Sequence, residues 1–219
     1  LDRLKQIAFE NRDDFAGVRL NRKVAEENIT IVKGAHHPQV YAEGGLQYQD
    51  SRPTTGLDAT VYYGGLRLQI PIFEGGLMKA EVSEARSKLR QAELSTELLR
   101  RNIETDVYEA YLQGRYQWHL RTPASLRAAV AHFERAIALD PTYAPAHAGL
   151  ADCYNLFGTV NVGGGAPAVW RPRAAAAAVK ALQLDPALAE AHAALGYVRH
   201  YQWQWEEAER LLRRALELN

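Results

Sequence analysis

The stretch Leu77 to Leu112, LMKAEVSEARSKLRQAELSTELLRRNIETDVYEAYL, decides how this chain folds. It contains neither glycine nor proline, and Val82, Ala85, Leu89, Ala92, Leu99, Ile103 and Ala110 recur along it at steps of three, four or seven residues. That is the spacing of a narrow coiled-coil seam. The flanks, Glu84 to Lys88, Glu93 to Glu97 and Asp106 to Ala110, are mostly charged or small, so the opposite side of the helix meets water. The pattern predicts one helix reaching about Tyr116. A helix that long with so thin a seam cannot bury itself in a small core and requires neighbours alongside.

Before it, Leu1 to Lys33 carries Leu4, Ile7, Phe15, Val18, Val24, Ala25, Ile29 and Val32 at mostly helical intervals, which predicts a second amphipathic helix. The two helices are expected to be antiparallel partners. Gly34 stops the first, and Pro38 biases the residue before it toward extended backbone. Two strands are expected next, about Gln39 to Gln49 and about Leu57 to Phe73, joined by the turn-rich DSRPTTG. The pairs Gly44 with Gly45 and Gly64 with Gly65 predict a bend or close backbone approach, and Pro71 confines the second strand to an edge or terminal place. One hairpin buries too little apolar area to stand alone. Other copies or other chains must complete it.

In GGLRLQIPIFEGGLMKAEVSEARSKL, and in a helix ending VKGAHHPQVYAEGG that feeds a strand through a proline, residues Leu1 to Leu112 resemble the outer membrane efflux proteins, the TolC-like channels. The resemblance implies a hairpin contributed to a closed transmembrane barrel, long helices forming a periplasmic tunnel, and passive export driven by periplasmic pump partners. It implies an outer-membrane location and self-association through helices and hairpin. Family members carry two such units per chain and assemble as trimers, whereas one unit is present here, so a barrel of that size needs twice as many copies or a longer parent chain. The other reading open at this point is a soluble repeat scaffold whose N-terminal helices only oligomerise.

Past Leu112 the apolar pattern changes and the chain repeats itself. RAIALDPTYAPAHAGLADCY, KALQLDPALAEAHAALGYV and RALELN align, with Pro141 and Pro186 in the same place after Ala136 and Ala181. Phe133, Ala129, Leu150, Ala151, Tyr154, Leu195, Gly196, Ala208 and Ala215 fall at matching offsets. Over Ser125 to Asn219 this resembles the tetratricopeptide repeat, in which antiparallel helix pairs cross through small residues. The distance from Pro141 to Pro186 overshoots the usual period of about 34 residues, which places an insert near 159–172, read as a flexible connection with Trp170 folding back onto the array. The whole is a mainly α fold: a helix, hairpin and helix unit over 1–112, then an α-solenoid of about three repeats over 113–219. The joint, VYEAYLQGRYQWHLRTPASL, reads as the end of one module and the entry to the other, so one helix serves both, and the combination reads as a fusion. The first residues lie inside a helical pattern with no signal sequence, which suggests a fragment or processed chain.

Lys+Arg 26 balances Asp+Glu 26, which argues against a dedicated nucleic-acid surface. The single Cys153 excludes an intrachain disulfide framework. No apolar run approaches the roughly 20 residues of a membrane-spanning helix. No catalytic constellation, metal site or cofactor motif is expected. His36 and His37 are adjacent and would diverge on extended backbone; Gly163 to Gly165 lack the Gly-Lys-Ser/Thr of a phosphate loop; Cys153 has no neighbouring base; and His147 and His192 hold equivalent packing positions in successive repeats. Binding is the better reading. The first helix of each pair lines the concave face, which selects Asp152, Asn155 and Leu156, then Tyr197, His200 and Tyr201 as a groove for an extended peptide of a protein partner. Against that stands the reading in which the same side chains only pack on neighbouring helices.

Overall fold

The computed structural model describes residues 13–49, 59–72, 75–159 and 166–219. Its elements are α1 (Asp13–Ala35), β1 (Gln39–Gln49), β2 (Ala59–Gln69), α2 (Leu77–His119), α3 (Pro123–Leu139), α4 (Ala144–Phe157), α5 (Pro167–Leu184), α6 (Ala189–Tyr201) and α7 (Trp205–Leu218). They divide into two compact units, one of Gly17–Ser95 and the other of Leu1–Ala16 with Thr96–Asn219. The expected joint at 112–113 lies inside α2, a single continuous helix. The expected helix over residues 1–12, the DSRPTTG turn and the three glycines at 163–165 lie outside the described residues.

In the first unit, α2 loses exposure where its seam was expected: Ala85 is 3 % exposed, and Val82, Leu89 and Ala92 are half-buried. The outer side of the helix is laced with one-turn ion pairs, Lys88 to Glu84 at 2.7 Å and, further along, Arg101 to Glu97 at 3.0 Å, each worth a few tenths of a kcal/mol on an exposed helix. On the part of α1 in this unit the half-buried positions are Val18, Ala25, Asn28, Ile29 and Val32. Val24 is 61 % exposed and does not belong to the seam, because one residue rotates a helix by about 100° and Ala25 already occupies the inward place. His36 sits in the turn after α1 rather than on extended backbone, with Nε2 3.4 Å from Glu81 Oε2 of α2.

β1 and β2 pair antiparallel with Val40 opposite Leu68, Ala42 opposite Leu66, Gly44 opposite Gly64 and Leu46 opposite Tyr62. Side chains alternate across a strand, so those pairs share one face, which is apolar from Val40 to Leu46 and from Tyr62 to Leu68, with Thr60 beyond, and open: Leu66 is 81 % exposed and Tyr62 76 %. The other face carries Gln39 opposite Gln69, Tyr41 opposite Arg67 and Gln47 opposite Val61, with Arg67 Nη2 and Glu43 Oε1 3.4 Å apart across the strands. A close approach occurs at one of the glycines. A Cβ on Gly45 would lie 2.5 Å from the Tyr63 ring, which therefore lies flat over the facing strand. Pro71 follows the end of β2.

The second unit is built from helix pairs, with α3 on α4, α4 on α5, α5 on α6, α6 on α7 and α4 also on α6, a helical solenoid. Thr122 caps α3 with a reciprocal box, its Oγ1 accepting from Ser125 N–H at 3.0 Å while Ser125 Oγ accepts from Thr122 N–H at 3.0 Å. The two Leu-Asp-Pro phrases build the same turn twice. Asp140 N–H donates to Ala136 O at 2.9 Å and Asp185 N–H to Ala181 O at 2.8 Å; each Asp carboxylate then accepts a backbone N–H two residues on, from Thr142 at 2.8 Å and Ala187 at 3.0 Å. His147 Nε2–H donates to Pro141 O at 3.0 Å and His192 Nε2–H to Pro186 O at 2.9 Å. The two histidines thus tie each inner helix to the turn that precedes it. Ala129, Ala136, Ala208 and Ala215 are all buried at helix crossings.

Of the insert expected near 159–172, residues 160–165 lie outside the described residues and the last six are helical. Residues 167–172 begin α5, with Pro167 in its first turn and Pro172 inside it. Proline at the first helical position gives up no hydrogen bond and presets the backbone, so Pro167 starts the helix, which at 18 residues is one longer than α3. Trp170 lies at the start of α5 against Tyr154 and Phe157, with ring centroids 5.7 and 5.0 Å away.

Candidate binding groove

The inner helices of the second unit, the end of α2, then α4 and α6, enclose a groove of about 580 Å³. Asp152, Asn155 and Leu156 enter it from α4 one helical turn apart, and Tyr197, His200 and Tyr201 enter it from α6 in the same register. The structure therefore brings all six candidate residues to one surface. Ala193 and Ala194 leave the floor low between them, with Leu212 of α7 at one side. Trp118 and Arg121 complete the wall. These two were missed because the first helix pair has no Leu-Asp-Pro phrase in front of it. The signal was the inward row Ile103, Val107, Tyr111, Arg115 and Trp118, which carries the seam of α2 into the array at helical steps.

The six residues do different things. Asn155 is buried, and its Nδ2–H donates to Ala194 O at 3.0 Å, so it pins α4 to α6 and offers little to a ligand. Tyr197 Oη donates to Tyr201 Oη at 3.4 Å with ring centroids 4.9 Å apart. Burial first, and that bond second, push the Tyr197 phenol up to about 12. Tyr201 is braced from behind by Arg171 of α5, whose Nη1 lies 3.4 Å from Tyr201 O and whose guanidinium lies 5.1 Å from the ring centre. His200 and Tyr201 remain exposed and make an edge-to-face pair at 5.2 Å. Arg121 takes a left-handed backbone, φ 53°, which costs energy for a residue with a Cβ. That conformation lays its guanidinium 3.7 Å from the Trp118 ring centre.

Asp152 is the charged centre of the groove. Its side chain is 21 % exposed and lies 3.8 Å from Arg115 Nη1. Burial raises its carboxyl to about 7 against the opposing pull of Arg115 and Arg121. The folded chain therefore holds this proton more tightly than the unfolded chain, so the stability it contributes is complete below about pH 4 and is lost as pH rises through 7. Asp152→Asn should remove that slope. The difference in melting temperature between variant and parent, measured by circular dichroism from pH 4 to 8, is expected to move in favour of the variant as pH rises. A difference that stays flat with pH would mean that Asp152 ionises without cost.

Among the described residues no group of three or more His, Cys, Asp and Glu side chains converges as a metal site, and no helix is long and apolar enough to cross a membrane. Compared with known proteins, residues 4–137 match the family model described as outer membrane efflux protein. Among solved structures, the chain is similar to the second TPR of Spaghetti (RPAP3) bound to HSP90 peptide SRMEEVD, at 18 % identity over 54 % of this chain and 99 % of that one, TM-score 0.42. It is also similar to MamA, at 21 % identity over 62 % of this chain and 77 % of that one, TM-score 0.39. Comparison with curated proteins finds no match.

Proposed function

The chain belongs to the outer membrane efflux protein family, and from that premise we propose that it is a non-catalytic subunit of an export conduit, with a protein-binding repeat array attached. The observation that carries this reading is the hairpin. Both strands are 11 residues long, the length at which a tilted strand spans a bilayer, about 9 to 11 residues. One face is apolar from Val40 to Leu46 and from Tyr62 to Leu68 and is exposed; the other carries Gln39, Glu43, Gln47, Arg67 and Gln69 among Tyr41, Val61 and Tyr63. Apolar-out and polar-in alternation is the pattern of a barrel strand between lipid and a water-filled lumen. Two strands cannot close a barrel, so several hairpins, from copies of this chain or from others, would complete it. Conduction through such a lumen is passive, with the driving energy coming from pump components on the periplasmic side. The efflux-like part covers 1–112 and the repeats 113–219. The groove around Asp152, Leu156, Tyr197, His200 and Tyr201 suits an extended segment of a protein partner, since polar and aromatic groups stand over a low alanine floor.

The test is expression of the chain behind a cleavable secretion signal in a bacterium with an outer membrane, followed by separation of the membranes. Recovery in the outer membrane as an oligomer that resists detergent until boiled, and that conducts ions in a planar bilayer, is the expected result. A monomer confined to the soluble fraction overturns the conduit and leaves the soluble scaffold.

A further inference from the structure

A second pocket lies away from the groove and shares no residue with it. Three helices each supply a pair or trio of side chains at one-turn spacing: Arg127, Val130 and Glu134 from α3, Tyr154 and Phe157 from α4, Trp170 and Arg173 from α5. Its volume is about 280 Å³, near the lower end of the range for small-molecule sites, roughly 300 to 1,000 Å³. The wall is aromatic. Trp170 stacks on Tyr154 at an interplanar angle of 26° and leans on Phe157 at 37°, so the three rings hold one another in place. Trp170 and Arg173 come from the first two turns of α5, which form the third side of the pocket.

The charges at the rim are exposed, and none of Arg127, Glu134 and Arg173 forms an ion pair among the described residues. Two guanidinium groups face one carboxylate, an excess of positive charge at the mouth of an apolar pocket. The Arg173 guanidinium lies 5.2 Å from the centre of the Trp170 ring, so positive charge stands beside the aromatic wall and disfavours a cationic ligand. A flat apolar body fits the wall by offset stacking. A planar carboxylate matches the donor fork of arginine.

We propose that this pocket binds a small planar aromatic carboxylate, its ring system against Trp170, Tyr154 and Phe157 and its carboxylate held by Arg127 and Arg173. The proposal is independent of the export reading and of the groove. The whole chain is titrated calorimetrically with 2-naphthoate and with its neutral counterpart 2-naphthamide. Naphthoate is expected to bind saturably at one site, at least tenfold more tightly than the amide. Arg127→Gln and Arg173→Gln should each weaken it at least fivefold. Glu134→Gln, which removes the one repelling charge, should tighten it, and Arg121→Gln in the groove should leave it unchanged. Circular dichroism establishes that each variant is folded. Absence of saturable binding, equal affinity for acid and amide, weakening by Glu134→Gln, or loss on Arg121→Gln in place of the two pocket arginines overturns the proposal.

Discussion

Replacing Phe133 by alanine is expected to destabilise the repeat array by about 3 to 5 kcal/mol, the cost of truncating a fully enclosed aromatic ring to a methyl group. Phe133 is the largest side chain with no exposure at all. Its ring fills a notch between two glycines on different helices: a Cβ on Gly114 of α2 would lie 2.7 Å from the ring, and one on Gly149 of α4 2.5 Å. The ring is thus the wedge that joins the tail of α2 to the repeats. This geometry demands a reversal of sign. In the parent chain Gly149→Ala overpacks the notch and should cost about 1 to 3 kcal/mol. In the Phe133→Ala chain the same change refills part of the cavity and should be neutral or stabilising. Thermal melts of the four proteins followed at the helical band test both statements, because residues in contact show coupling that separated residues do not. Additive losses would mean that the ring does not occupy the space between the glycines.

The notch also explains what was legible beforehand. Phe133, Ala129 and Ala136 stand at offsets shared with Ala174, Ala178 and Ala181, and each offset is fixed by a helix crossing, so repetition in sequence reported repetition in packing. The six groove residues converge for the same reason, since the register set by Pro141 and Pro186 determines which side of α4 and α6 turns inward. Two kinds of information were not local. Whether a side chain offered to the groove is free for a partner depends on what another helix presents, and Asn155 proves to be committed to Ala194 O. Trp118 and Arg121 were hidden because the helix that carries Trp118, and that Arg121 follows, begins in the other unit and lacks the turn phrase that sets the register. The insert failed differently. The connection was read through to 172, but Pro167 starts a helix five residues earlier, and Trp170 packs on Tyr154 and Phe157 from its first turns. At the hairpin, both Gly pairs were visible, yet only pairing across strands reveals that Tyr63 lies over Gly45.

Leu66→Arg separates the two readings of the hairpin by the sign and size of its effect. Leu66 projects from the apolar face beside Ala42 and is the most exposed large apolar residue within either strand. If that face meets lipid, an arginine there must be carried into hydrocarbon, at about 2 to 4 kcal/mol at the midplane and less toward the interface. The penalty recurs in every copy that contributes a hairpin, so assembly multiplies it. If the face meets water, a charge in place of an exposed leucine falls within the ordinary surface range of about ±0.5 kcal/mol and improves solubility. Gln47→Arg on the opposite, polar face is the control, since it adds the same charge to the same hairpin where a lumen would hydrate it. The measured quantities are the yield of boiling-sensitive oligomer in the outer membrane and the urea concentration at which the oligomer unfolds in detergent or lipid. Leu66→Arg is expected to abolish or sharply reduce the oligomer while Gln47→Arg retains it. Equal behaviour of the two variants would show that neither face is distinguished by lipid, and the barrel reading of β1 and β2 would fall with it.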